Sequence, residues 1–217
     1  MSDLKCDEIG PATGTNTALI LKGKGTGKVK IGDGELSFPD ADGSANQVIE
    51  TTGSGVLQFS TLPSTGFTLA TEQATTSGTS VTFGSIPTGT KLIIIMFEDV
   101  SMNGNVDFDV TIGDSAGLET SGYVSSSARM EATAFDMNNS TADFMMKLTD
   151  ASTIVSGLFT LALKDASNFT WVASYICKSL TNKMSLGGGH KSLSAELTQV
   201  SISGGTFDSG SISIMYQ

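Results

Sequence analysis

The residues that could do chemistry fall into a few small groups, and each lacks a partner its chemistry requires. Gly23–Lys28 (GKGTGK) has the glycines and lysines of a phosphate-binding loop. But Lys22 stands where the first loop glycine belongs, and Val29 stands where Ser or Thr would bind magnesium. A strand-like run follows it, so no helix N-terminus is available to hold a phosphate. Asp33, Asp40 and Asp42 lie among glycines, and the run DADGSAN resembles the opening of a calcium loop. The glycine comes too early and no bidentate Glu closes the loop, so these carboxylates read as turn caps.

The densest acids of the longer C-terminal part are Glu98-Asp99 and the pair Asp107/Asp109. Two carboxylates held across a cleft can hydrolyse glycosides. Asp107 and Asp109, two apart, share one strand face and read as a solvated outer surface. His190 is the sole histidine and follows Gly187-Gly188-Gly189, a backbone too free to hold a general base. Trp171 and Tyr175 share a face in an unbroken strand: core if buried, a sugar platform if exposed. The chain has no CxxC, HExxH or nucleophile elbow. No catalytic residue, cofactor or metal is expected.

The elements that carry these residues read as strands. Between residues 19 and 62, short apolar/polar alternations at Leu19–Lys22, Lys28–Ile31, Glu35–Phe38, Gln47–Glu50 and Val56–Phe59 are each cut off by Gly, Asp or Pro. Each has one or two apolar residues on its inward face, too little to hold a monomeric domain. Several copies wrapped together would share one axial core. Leu62-Pro63-Ser64-Thr65-Gly66 is turn-rich and marks a boundary.

Beyond it the strands lengthen. Lys91–Val100 (KLIIIMFEDV) is apolar on both faces and predicts a central, fully buried strand. Val106–Ile112 and Ser211–Tyr216 alternate cleanly, and single strands are also expected over Met130–Phe135, Thr153–Leu163, Thr170–Ile176 and Ser192–Ile202. One helical turn at most is expected, over 114–119. Turn clusters are expected at Asn103-Gly104-Asn105, at Asn138-Asn139-Ser140 and at Gly187–His190. Asn103, Gly104, Asn105, Asn138, Asn139, Gly188 and His190 are the candidate surface-loop contacts. Strand spacing of this kind with Gly/Asn turns is that of a sandwich or jelly roll.

Composition agrees with an all-β chain. Of 217 residues, Gly, Ser and Thr make up roughly a third or more. The net charge of −10 disfavours nucleic acid. Lysines cluster early, at Lys22, Lys24, Lys28 and Lys30, as on an exposed strand edge. Cys6 and Cys177 make no disulfide framework. The first ten residues lack the apolar core of a signal peptide, and the longest apolar run, Leu92–Phe97, is too short to cross a bilayer.

Lys28–Phe59 (KVKIGDGELSFPDADGSANQVIETTGSGVLQF) resembles a module of fibre-type virion proteins of marine bacteriophages. So do TSVTFGSIPTGTKLIIIMFEDVSMNG, VTIGDSAGLETSGY, TWVAS and the closing FDSGSISIMY, extending the resemblance over about residues 20–217. It implies an intertwined trimeric β-stem leading into a β-sandwich or jelly-roll knob, and brings no catalytic residue with it. The expected organisation is an attachment leader over residues 1–18, a trimeric stem over 19–62 and a jelly-roll knob over 67–217. The expected partners are two further copies of the chain, another virion protein held through residues 1–18, and a host cell-surface glycan. No nucleic acid and no membrane insertion is expected. The chain is expected to be made in a host cytoplasm and to reside in the virion. It has no long repetitive shaft and no large N-terminal adaptor, which leaves a capsid decoration or head fibre as the alternative to a tail fibre. A carbohydrate-binding or carbohydrate-active sandwich is the reading from another class.

Overall fold

The computed structural model describes residues 30–31, 36–39, 41–62, 66–148 and 150–217. The expected leader over 1–18, the strand Leu19–Lys22, the GKGTGK run, the lysines at 22, 24 and 28, Cys6, Asp33, Asp40 and the 63–65 break lie outside the described residues. The chain divides into two units, Met1–Ser64 and Thr65–Gln217. Among the described residues there is no helix, and every strand pairing is antiparallel.

Among its described residues the first unit holds two small strand pairs. β1 (Lys30–Ile31) pairs with β2 (Leu36–Ser37), and β3 (Gln47–Thr51) pairs with β4 (Leu57–Thr61) in the register Ile49↔Phe59. The β3–β4 loop closes where the Thr52 amide donates to the Val56 carbonyl at 2.9 Å, with Gly53 and Gly55 at positive φ.

The second unit is a sandwich-like pair of sheets. Its strands are β5 (Thr68–Leu69), β6 (Gln73–Ala74), β7 (Ser80–Phe83), β8 (Leu92–Asn103), β9 (Phe108–Asp114), β10 (Gly117–Leu118), β11 (Val124–Glu131), β12 (Ala134–Ser140), β13 (Phe144–Met146), β14 (Val155–Asp165), β15 (Thr170–Leu180), β16 (Lys183–Ser192), β17 (Gln199–Ser203) and β18 (Thr206–Tyr216). The large sheet runs β12-β11-β16-β15-β14-β8-β18-β5, with β6 also on β18. The small sheet runs β10-β9-β17-β7, with β13 also on β9.

Alternation along each strand sends one set of side chains between the sheets. Ile93, Ile95 and Phe97 of β8 meet Phe108, Val110 and Ile112 of β9 in one core with Phe159, Leu161, Val200, Ile202, Ile212 and Ile214. Aromatic rings bridge the layers. Tyr123 meets Phe144 edge-on at 4.9 Å, Phe144 reaches Phe159 at 6.1 Å, and Phe159 stacks on Tyr175 at 5.4 Å.

A seam of hydroxyl groups joins the sheets at β13. The Met145 amide donates to Ser125 Oγ at 3.1 Å, and the Lys147 amide donates to Ser127 Oγ at 2.7 Å. Tyr175 Oη donates to the Met145 carbonyl at 3.3 Å while also bonded to Ser127 Oγ and, at 3.2 Å, to Ser185 Oγ. With the two serines donating to the phenol oxygen, each hydroxyl proton has an acceptor.

Several sequence expectations are corrected. Gly187–His190 is no turn: it lies inside β16, paired with β15 and β11 on either side. The glycine at 187 is there for space, since a Cβ would come within 2.7 Å of the Tyr175 ring and 2.6 Å of the Ser126 carbonyl. Asn138 and Asn139 are likewise in a strand, β12, and the hairpin turn falls at Ala132-Thr133. Met130–Phe135 is therefore a hairpin and not one strand. Ser192–Ile202 is broken by a crossover between sheets. The Asp114 carboxylate holds that crossover by accepting from Ser194 Oγ at 2.6 Å and the Ala195 amide at 3.1 Å. Over 114–119, where one helical turn at most is expected, β9 ends at Asp114 and a tight turn leads into β10.

Tyr175→Phe leaves buried groups of the seam without their partner and is expected to cost about 1–3 kcal/mol. Gly187→Ala forces the same ring aside and is expected to cost a similar ~1–3 kcal/mol. Urea unfolding of the two variants and of the parent chain measures both.

Candidate interaction surface

The register of the large sheet aligns its outward side chains into rows that cross the strands. One row runs Met96, Leu158, Ile176, Leu186, Ala128, Met137 from β8 to β12. The next row on one side runs Ser156, Lys178, Met184, Met130, Phe135, with Ser156 donating to Asp99 of β8 at 3.0 Å. On the other side comes Ile94, Thr160, Ser174, Gly188, Ser126, Asn139, and beyond it Leu92, Ala162, Val172, His190, Val124. Val124, Met130, Phe135, Met137, Leu158, Val172, Ile176 and Met184 are between 39% and 64% exposed. At on the order of 100 Å² each they present roughly 800 Å² of apolar surface, above the few hundred typical of a monomer's largest patch.

β8 is central, between β14 and β18, but it is not buried on both faces as its sequence predicts: Leu92, Ile94 and Met96 look out onto this surface and are only half-buried.

Three of the seven candidate contact residues come together here. Gly188 and Asn139 share one row and His190 lies in the next. Asn138 sits at the β12 edge with its side chain on the opposite face. Asn103 ends β8, paired with Thr206 of β18, and Gly104 and Asn105 open the β8–β9 connection, where Asn105 Oδ1 accepts from the Ala151 amide at 2.7 Å.

The outward face of the small sheet is polar. Thr82 and Ser201 hydroxyls bond across β7 and β17 at 2.8 Å. Asp107, Asp109 and Asp143 lie close together on it, and they are not the freely solvated surface the sequence suggests. Asp107 accepts from the Leu148 amide at 2.7 Å and pairs with Lys147 at 3.4 Å. Burial first, then the carboxylates of Asp143 and Asp107, push Asp109 up to about 6. Burial and the Asp107 charge also push Asp143 up, against a hydrogen bond from Ser140. Asp107 is thus tied into structure by an amide and an ammonium.

Trp171 and Tyr175 face the core at 2% and 4% exposure, so no sugar platform forms. A cavity of about 90 Å³ lies at one end of the sandwich, lined by Leu163, Phe169, Trp171 and Leu197 with Lys91 and Glu196. Lys191, buried in the same half, is matched by Glu119 at 2.9 Å and lies over the Tyr123 ring. Cys177 is a buried thiol whose pKa burial pushes up to about 12, so it is no nucleophile. Among the described residues no group of His, Cys, Asp and Glu is placed to hold a metal, and no helix is long and apolar enough to cross a membrane.

No protein-family model, curated protein or solved structure matches this chain.

The carboxyl of Asp109 ionises near 3.8 when unfolded and near 6 when folded. Between those values the folded state holds a proton that the unfolded state has lost, so this group lowers stability as pH rises from about 4 to about 6, and no further above. Asp109→Asn is expected to remove that slope and to be more stable than the parent at pH 7. Because the side chain is partly in water, the gain is held to ~1 kcal/mol. Denaturant midpoints of both proteins across pH 4–7 test the sign.

Proposed function

We propose that the protein is a non-enzymatic structural protein of a bacteriophage virion. It is a homotrimeric surface fibre of the tail-fibre type, in which residues 19–62 form an intertwined β-stem and residues 67–217 a jelly-roll knob. Residues 1–18 attach to another virion protein, and the knob meets the host surface with the avidity of three copies.

The observation that carries this reading is the β3–β4 hairpin. Its strands are five residues each, and Val48, Ile49, Val56 and Leu62 around it are exposed. A lone two-stranded hairpin is marginal in water. Alternating Ile49↔Phe59 and Val48↔Ser60 pairs leave apolar groups for which a shared core between copies is the economical cover. In the second unit the carboxylates of Asp107 and Asp114 are occupied by structural bonds and the one described cysteine is buried, which supports a role in shape and contact over catalysis.

Light scattering on the full chain at micromolar concentration is expected to give three times the 22.4 kDa chain mass. Ile49→Asp is expected to weaken the trimer by roughly 10–100-fold in dissociation constant, the effect of charging a buried contact. A folded monomer at that concentration overturns the proposal.

A further inference from the structure

We propose that the apolar outward face of the large sheet is a second self-association surface, occupied by another copy of this chain. This rests on the reading of the protein as a homo-oligomer, but assigns contact to the second unit, independently of the β3–β4 hairpin.

Three observations select a second copy as the occupant. The first is area. The exposed apolar side chains alone amount to roughly 800 Å², and a standard interface buries about 800 Å² on each partner. The second is charge. The chain carries 22 acidic residues and a net charge of −10, so copies repel unless they meet where carboxylates are missing. From β14 to β12 the four outward rows contain no Asp or Glu, and Lys178 and His190 are their only ionisable groups. The carboxylates Glu98 and Asp99 stand at the β8 margin of the face, where Asp99 accepts from Ser156 Oγ at 3.0 Å. The third is self-complementarity. The polar row of Thr160, Ser174, Ser126 and Asn139 carries hydroxyls and an amide, each both donor and acceptor, so the row can pair with its own copy. A charged partner would leave its own charges unmatched against this face.

The face contains methionines that report on its cover. Met130, Met137 and Met184 are each about half or more exposed, whereas Met102 and Met146 are in the core. Thioether oxidation follows solvent access. The full chain is treated with dilute peroxide over a range of protein concentrations, the oxidation of each methionine is read by peptide mass spectrometry, and mass is followed by light scattering in parallel. The expected result is protection of the three face methionines at high concentration, lost by roughly tenfold or more on dilution as the mass falls. Ile176→Lys, on the most exposed apolar residue of the central row, is expected to expose them at concentrations where the parent chain protects them, with the far-UV circular dichroism unchanged.

Free oxidation of Met130, Met137 and Met184 in a chain that scatters as a trimer overturns this inference and leaves the stem-based reading standing. Free oxidation in a monomer overturns both. Protection that persists where the mass is that of one chain overturns it as well, because the cover then belongs to the same molecule. Protection unaffected by Ile176→Lys does the same.

Discussion

The second unit depends on a solution to one problem: the outer edge of β13. This strand has β9 on one side only, so its other edge leaves backbone groups that must be paired or solvated. It is paired by side chains. Ser125 and Ser127 take the amides of Met145 and Lys147, and Tyr175 gives its proton to the Met145 carbonyl. A strand of the small sheet is thereby fastened to strands β11 and β15 of the large one without a backbone ladder between them. Burial raises the Tyr175 pKa, so the phenol keeps the proton that the arrangement needs.

That fastening fixes what the neighbouring strands must place inside. Along β11 and β16 the inward positions that lie under β13 and the Tyr175 ring are Ser125, Ser127, Ser185, Gly187 and Gly189, small or hydroxylic because that space is already occupied. The charged Arg129, Glu131, Lys183 and Lys191 turn inward only towards the strand ends. The apolar residues of these two strands, Val124, Met130, Met184 and Leu186, are consequently on the outer face. Strands β11 and β16 thus invert the usual apolar-inside pattern, and strands β14 and β15 are apolar on both sides. The outward apolar face is the other side of the hydroxyl seam.

This inversion also explains what could be read from the residues beforehand. A continuous apolar run located β8, and period-two alternation located β9 and β18, where Phe108, Val110 and Ile112 or Ile212 and Ile214 face one way and polar residues the other. It said nothing of which face of TWVASYICKSL turns inward, because Trp171, Tyr175 and Cys177 on one side and Val172 and Ile176 on the other are all apolar. The glycine run at 187–189 carries the ordinary signal of a turn, and only the Tyr175 ring above it shows that the requirement is room. Ala132-Thr133 makes a hairpin turn with no turn residue, so β11 and β12 were not separable by composition. The acids at 107 and 109, two apart at the start of β9, read as sharing one face, but the third carboxylate, Asp143, stands just before β13, more than thirty residues on. Only pairing of β13 with β9 brings it near.

The two candidate self-contacts differ in kind. The β3–β4 hairpin is short and marginal alone, so association and local folding would be one event, with the ordering entropy of the strands charged against it. The sheet face of the second unit is already rigid, held by backbone ladders on nearly every strand, so contact there orders little beyond methionine and leucine rotamers. Joined in one chain, a contact at either place raises the effective concentration of the other. A rigid face of modest affinity can therefore bring hairpins together at concentrations where they would not meet, and the hairpins in turn would set how many copies the assembly holds. A net charge of −10 on each copy would oppose the growth of such an assembly wherever acidic surfaces meet.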